Sequence, residues 1–374
     1  MGLTKYFISI WILFNDEPFT SSFFKSNSIL HFAVTIALTF SFLETGFVTG
    51  KQMKNGIYPN FSDLVIARFF RIYSPGLLVI TTSLFLMNNS LVYIKHNQNL
   101  FEAITAMTLI DKMVFYASHF TLLLQPWLFF GFDSVTSSFT YKLAMYDEIS
   151  PMLSTSIAPH MWTIMSDIIG VLFIGYCMFK KNLNHLITYT VMMLILQITF
   201  IKQIRTTEMD TMAIWQNPIA LVLYMSCGFL CGYKGNDDIN LGLNKYSSAI
   251  AGWILIAASI FLAASLANDD HWCIIANILT IPAFMIGCNL LWPLFAFQKW
   301  DMKIRNMNSH LYFWHFLFLT LIYERVSPSI YSCIFSITII IIFSIFFGPW
   351  FENKNKEIIN YFRRLANEST KNSN

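Results

Sequence analysis

The chain has 374 residues and a formal net charge of +3; 55% of its residues are apolar, 17% are aromatic and only 12% are charged. Soluble proteins carry about 25% charged residues, so this composition favours a surface that contacts lipid. The small, scattered charge argues against nucleic-acid binding. The sequence also lacks a glycine-rich phosphate loop and the Cys/His spacing of a zinc site, so we expect no metal.

Apolar runs recur along the whole chain. A membrane-spanning helix needs about 20 mostly apolar residues. The sequence therefore predicts an all-α, polytopic membrane bundle of about ten or eleven transmembrane helices. We assign one membrane domain to residues 1–351 and a polar cytoplasmic tail to residues 352–374. The predicted helices cover residues 4–15, 29–50, 74–94, 113–131, 160–179, 183–202, 214–233, 247–267, 272–297, 309–325 and 329–350.

Lysine and arginine positions predict the orientation, because basic loops stay in the cytoplasm. Counting back from a cytoplasmic tail places residues 299–305, 234–245 and 180–181 on that side. Counting forward from a cytoplasmic N-terminus places residues 51–71 there too. The two counts are inconsistent by one membrane crossing somewhere between residues 75 and 131. We therefore expect that one segment there does not span or that a further helix lies near 103–113. A broken element near His119 is one such possibility.

Arg68 and Arg71 are the most informative pair in the sequence. They are three residues apart and lie between two membrane-length apolar runs. Residues i and i+3 share one face of a helix, which the surrounding aromatic residues are expected to hold flat on the membrane interface. The pair either anchors the helix beside anionic lipid or binds an anionic cofactor such as the phosphates of coenzyme A.

Four segments together resemble bacterial acyltransferase-3 proteins, in the same order along the chain. Residues 41–47 (SFLETGF) resemble the family's FFxxSGF helix, and residues 68–75 (RFFRIYSP) resemble its RxxRxxP segment. Residues 162–167 (WTIMSD) resemble WSLxxE with Asp in place of Glu, and residues 308–315 (NSHLYFWH) resemble SYxxYLxH.

The resemblance implies a site made from several helices. Arg68 and Arg71, with Lys5 and Tyr73 nearby, would bind acetyl-CoA. The family has a histidine eleven residues after the first-helix cation, and here that position is Asp16. Asp16 is thus the positional candidate for the catalytic base, although its ordinary pKa of about 3.9 makes it a weaker base than histidine.

Other intramembrane polar residues are further candidates. Asp167 and His315 occupy positions that match the family's motifs, so we expect them to replace or support the base. His31 or another histidine is an alternative to Asp16. Glu44 lies in an apolar helix, where a carboxylate marks either a functional cavity or a bond to a neighbour such as Lys51. We expect His310, five residues before His315, to lie at the membrane interface.

The function implied is transfer of an acetyl group from acetyl-CoA to a hydroxyl of a cell-surface polysaccharide or its lipid-linked precursor. The implied location is the cell inner membrane, and the partners are the lipid bilayer and a carbohydrate acceptor. One alternative is a carrier or flippase for a glycan or lipid-linked sugar. Another is an acyltransferase-like protein that binds without reacting. The sequence does not give an oligomeric state.

Overall fold

The computed structural model describes residues 2–16, 20, 28–88, 108–121, 129–133, 138–142, 162–206, 218–235, 244–266, 272–295, 298–323 and 325–372. These residues are helical apart from a small antiparallel hairpin and short connections, which confirms the predicted all-α class. The helices are α1 Gly2–Asp16, α2 Ser28–Lys54, α3 Phe61–Asn88, α4 Leu109–Thr121, α5 Trp162–Lys180, α6 Leu183–Thr206, α7 Pro218–Lys234, α8 Lys245–Leu266, α9 Trp272–Phe295, α10 Lys299–Tyr323 and α11 Ile330–Asn372. The hairpin pairs β1 Phe129–Asp133 with β2 Ser138–Lys142.

Within the described ranges, three helices are long and apolar enough to cross a membrane; they contain residues Phe61–Leu86, Tyr246–Leu266 and Ile330–Leu365. Four shorter apolar helices accompany them, within α1, α6, α7 and α9. Large apolar side chains are exposed on α6, α8 and α11, where water would be unfavourable and lipid favourable. They include Val191, Met192, Ile195, Ile250, Ile254, Ile334, Phe335 and Phe346.

The closest packing in the described bundle joins α2 to α7 through glycines spaced four residues apart. A Cβ atom on Gly46 would lie 1.9 Å from the main-chain oxygen of Met225, and one on Gly228 would lie 2.0 Å from that of Leu43. Gly50 and Gly232 repeat the arrangement one turn further on. Such small-residue stripes let helix backbones approach closely in a membrane. This contact positions α2, which carries part of the candidate site.

Helix α3 differs from its prediction because it begins at Phe61 and passes unbroken through the arginine pair. The predicted loop over residues 51–73 and the separate helix lying flat on the interface are therefore wrong. Asn60 caps α3 by accepting the Asp63 N–H at 2.8 Å. Neighbouring helices contact the charged side chains of α3: Arg68 donates to the Thr49 hydroxyl, and Arg71 is 3.9 Å from Glu352.

The predicted span 113–131 is also wrong. Helix α4 covers 13 residues and ends at Thr121, whereas Phe129 already lies in a strand. Thirteen residues make a helix of about 20 Å, too short for a hydrocarbon core of about 30 Å. His119 lies on α4, but its side chain is outside the described part of the structure.

The boundaries near the C-terminus extend beyond the predicted ones. Helix α10 begins ten residues before the predicted start at 309, and α11 continues past 350 through the polar tail to Asn372. The tail is thus a continuation of the last helix. It packs on α3 through an Arg363–Asp63 ion pair of 3.2 Å and an Asn355 amide that donates to the Phe70 carbonyl at 2.8 Å.

One end of the bundle, here called the basic end, gathers helix termini rich in lysine and arginine. Lys54 at the end of α2 donates to the Gly235 carbonyl after α7 at 3.1 Å. Helix α3 starts at the basic end and α5 returns to it, as the 6.4 Å contact between the Phe61 and Phe179 rings indicates. The end of α3 at Asn88 and the start of α5 at Trp162 therefore lie on the opposite side.

Candidate functional site

Five helices, α1, α2, α3, α5 and α10, surround a cavity of about 130 Å³. Its lining is polar on several sides although it lies among apolar helices. The polar lining residues are Lys5, Ser9, Ser41, Thr45, Asp167, Asn308, Ser309 and Tyr312. The apolar ones are Ile8, Ile12, Leu38, Phe42, Ile72 and Phe313. Polar groups this deep in a membrane bundle are costly, so they mark a site that holds water or a ligand.

A ladder of hydroxyl side chains on α2 holds two of the predicted cations. Thr45 donates to the Ser41 carbonyl at 2.9 Å, and Thr49 donates to the Thr45 carbonyl at 2.7 Å. The ammonium of Lys5 donates to the Thr45 hydroxyl, and the guanidinium of Arg68 donates to the Thr49 hydroxyl. Residues four apart lie on one helix face. Lys5 and Arg68 are therefore held one helical turn apart along the same face of α2.

Lys5 lies between two carboxylates that the sequence puts on other helices. Its positive charge is attracted most strongly by Glu44 and next by Asp167. Glu44 is completely buried, and neither of its oxygens has a hydrogen-bond partner in the described residues, so the expected bond to Lys51 is absent. Asp167 lines the cavity with a buried Oδ1 that also lacks a partner there. This cluster leaves carboxylate oxygens able to accept a proton or a hydroxyl hydrogen bond.

The predicted arginine pair lies between the cavity and the basic end. Arg71 Nη2 donates to Asn306 Oδ1 at 3.3 Å, and its Nε is 3.9 Å from Glu352 Oε1. A third arginine belongs to the same cluster, because the charge of Arg305 on α10 is repelled first by Arg71 and then by Arg68. Residues from the third, tenth and eleventh helices thus meet at one place.

Helix α1 is fixed at this end by a cap supplied from α10. The main-chain N–H groups of Gly2 and Leu3 donate to the carboxylate of Asp301, at 2.9 and 3.1 Å. A carboxylate satisfies the unpaired N–H groups of a first turn and interacts favourably with the helix dipole. The cap fixes the position of α1, so Lys5 points toward Thr45 and the cavity.

The remaining predicted site residues are spread along the bundle. Asp16 ends α1 eleven residues after Lys5, about 16 Å along the axis, and its side chain is outside the described ones. His315 is buried one turn beyond Tyr312, with its Nδ1 2.6 Å from the Tyr312 carbonyl oxygen. Tyr73 donates its hydroxyl to the Phe120 carbonyl of α4. Their assigned roles stay predictions.

His310, which is expected at the membrane interface, packs inside the bundle. It is completely buried, and its ring makes edge contacts with Phe313, Phe347 and Phe351, with centroids 6.4, 5.3 and 5.2 Å away. Neither ring nitrogen has a hydrogen-bond partner among the described residues. The aromatic side chains of α11 cover this position because α11 packs along α10.

Sequence reasoning missed three features of the site: the Thr45–Thr49 ladder, Asn308 in the cavity wall and Arg305 in the cationic cluster. The ladder has a signal in the sequence, since hydroxyl residues recur every four positions at 41, 45 and 49 of an apolar helix. Arg305 has none, because it lies more than 230 positions after the pair that it joins. Among the described residues, no group of three or more His, Cys, Asp or Glu residues could hold a metal ion.

Comparison of the chain with protein-family models, with curated proteins and with solved structures finds no match.

Proposed function

We propose that this protein is a multi-pass membrane O-acyltransferase that moves an acetyl group from acetyl-CoA to a carbohydrate hydroxyl. One observation carries the proposal. A cavity lined by Lys5 and Asp167 lies next to Arg68 and Arg71, so a pocket with a cation and an unpaired carboxylate oxygen adjoins two arginines of the kind that bind phosphate. The resemblance of four sequence segments to acyltransferase-3 proteins supports the same function.

The arginine pair and Lys5 have different roles in the proposed reaction. The guanidinium groups of Arg68 and Arg71 bind the phosphates of the donor, since arginine forms paired hydrogen bonds with phosphate oxygens. The acyl thioester then enters the cavity. The ammonium of Lys5 stabilises the negative charge that develops on the thioester oxygen during attack.

The transfer itself needs a base beside the attacking hydroxyl. The hydroxyl oxygen bonds to the thioester carbonyl carbon, the hydroxyl proton passes to a carboxylate, and the carbon–sulfur bond breaks to release the coenzyme A thiolate. Asp167 is the base that the cavity favours, because it lines the wall with an unpaired oxygen. Asp16, one turn beyond the cavity residue Ile12, and His315 are the other candidates.

The orientation follows from charge. Basic segments stay in the cytoplasm, so we infer that the basic end faces the cytoplasm, where acetyl-CoA is made, in the cell inner membrane. The polar part of α11 would then be cytoplasmic. Asp16 ends α1 toward the opposite side, so an acceptor glycan or its lipid-linked precursor reaching the cavity from that side would pass it.

The donor role is tested with Arg68→Ala and Arg71→Ala. Purified protein is incubated with labelled acetyl-CoA and the host glycan, and transferred label is counted. We expect transfer to fall about 10- to 100-fold in each variant, since a hydrogen bond to a charged group contributes about 1.5–3 kcal/mol. Arg364→Ala is the matched control, because Arg364 is an exposed arginine on α11. Full activity of both variants, with the protein still in the membrane, would exclude the donor role.

The base is identified by comparing Asp167→Asn with Asp16→Asn under saturating donor. The amide keeps the size of the side chain but does not accept the proton. A general base typically contributes about 10²–10⁴-fold to the rate. We expect that loss in kcat for Asp167→Asn. If turnover is unchanged for one variant, that residue is not the base.

A carrier or flippase for a glycan is the second candidate. The cluster of Lys5, Glu44 and Asp167 favours it, because intramembrane charges also mark transport pathways. Labelled acetyl-CoA and a labelled glycan, added to vesicles that contain the protein, separate the functions. Transfer of label indicates the enzyme, binding without transfer indicates an inactive relative, and glycan movement without either indicates the carrier.

A further inference from the structure

The cationic cluster, which consists of Arg68, Arg71 and Arg305, has only part of its positive charge neutralised by the described residues. The Nε atoms of Arg68 and Arg305 are buried, and neither has a hydrogen-bond partner in the described residues. Arg68 makes its hydrogen bond to the neutral hydroxyl of Thr49. At least one buried donor of each side chain is thus unsatisfied, which is unfavourable.

The nearby carboxylates offset this positive charge only in part. Asp301 accepts the two N–H groups that begin α1, and Glu352 is 3.9 Å from the nearest Arg71 nitrogen, at the limit of an ion pair. The charge of Arg305 is repelled by Arg71 more strongly than Asp301 attracts it. A folded protein that keeps like charges together in this way is stabilised by a bound anion.

We propose that Arg305 is the third arginine of this anion site and that the site takes a ligand with at least two phosphate groups. Three guanidinium groups from two helices offer more paired donors than one phosphate can accept, whereas a diphosphate spans them. This inference rests on the proposed function, in which coenzyme A is that ligand. It adds Arg305, which no sequence motif marks, and it specifies a ligand with at least two phosphate groups.

The experiment measures binding to the full-length protein in nanodiscs by calorimetry, with inorganic pyrophosphate and coenzyme A as separate probes. Arg305→Gln tests the site. Lys303→Gln is the control, because it removes the same charge from an exposed position on the same helix. We expect Arg305→Gln to weaken both probes at least about 10-fold, which is about 1.4 kcal/mol. The control should change them less than about twofold.

Equal binding to wild type and Arg305→Gln would overturn this inference and leave the proposed function standing. Pyrophosphate binding that depends on Arg305, without coenzyme A binding even in wild type, would support the site and refute the donor. No binding of either probe to wild type would refute both. If Arg305→Gln does not fold, Arg305→Lys decides, since a single ammonium replaces the guanidinium fork; unchanged affinity there would also overturn the inference.

The two possible phosphate sources are separated by lipid composition. The titrations are run in nanodiscs of phosphatidylcholine and again with phosphatidylglycerol added. Affinity for pyrophosphate that is the same in both supports a soluble diphosphate. Displacement of pyrophosphate by phosphatidylglycerol in wild type would show that a lipid headgroup fills the site and would refute the soluble ligand.

Discussion

Substitution of Gly46 by alanine tests whether the glycine stripe between α2 and α7 holds the site together. The added Cβ would lie 1.9 Å from the Met225 main-chain oxygen, and ordinary contact begins at 3.4 Å. The atoms that the Cβ meets belong to the α7 main chain, so they do not move aside as a side chain would. The helices would have to separate by about 1.5 Å, and forced overpacking of this kind costs about 1–3 kcal/mol, occasionally more. We expect the upper part of that range.

The structure provides a matched control on a third helix. A Cβ atom on Gly170 of α5 would also meet Met225, but at 2.6 Å from its side-chain sulfur. A methionine side chain is flexible and can turn aside. We therefore expect Gly170→Ala to cost less than about 1 kcal/mol, although it adds the same methyl group next to the same residue.

The assay follows thermal unfolding with a thiol-reactive fluorophore. Cys177, Cys288 and Cys333 are buried, so we expect their labelling to report the opening of the bundle. Gly46→Ala should lower the unfolding temperature by several degrees and Gly170→Ala by much less. Adding Gly228→Ala to Gly46→Ala should cost less than the sum of the two, because one separation of the helices relieves both clashes. Equal stability of Gly46→Ala and Gly170→Ala would refute the argument.

Three further substitutions test the groups around the site. Lys5→Met removes the charge that two carboxylates share, so we expect the free energy of unfolding to fall by about 3 kcal/mol. Asp301→Ala removes the cap of α1 and should cost about 1 kcal/mol, seen as faster amide hydrogen exchange in the first turn of α1. Tyr73→Phe removes the hydroxyl that bonds α4 and should cost about 1 kcal/mol, with faster amide exchange in α4.

Each of these expectations has a result that contradicts it. Lys5→Met combined with Glu44→Leu should regain part of the lost stability, because one buried carboxylate has gone; no recovery would mean that the two charges do not interact. Lys303→Met is the exposed control for the charge change. Asp301→Asn keeps an acceptor, so a loss as large as that of Asp301→Ala would count against the cap. Unchanged exchange in α4 would show that the Tyr73 bond contributes nothing.

The sequence predicted much of the fold because lipid imposes simple rules on it. Apolar runs of membrane length must be helices, since only helices and closed barrels satisfy the backbone in hydrocarbon. The differences lie at helix boundaries. The predicted helices left out residues 51–73 and ended at residue 350, whereas α3 begins at Phe61 and α11 continues to Asn372. Contacts between helices position the polar side chains of both, as where Arg68 meets Thr49 and Arg363 meets Asp63.

The candidate site was only partly predictable. The sequence by itself determined the all-α class, the apolar surface and the presence of Arg68, Arg71, Lys5 and Asp167 as polar residues beside or within apolar helices. Only the tertiary structure decided that Lys5 and Asp167 line one cavity, that Thr45 and Thr49 hold the cations, and that Arg305 joins the arginine pair. Helical periodicity specifies which residues share a face of one helix. Which faces meet depends on close packing between helices distant in sequence, such as the glycine stripes of α2 and α7.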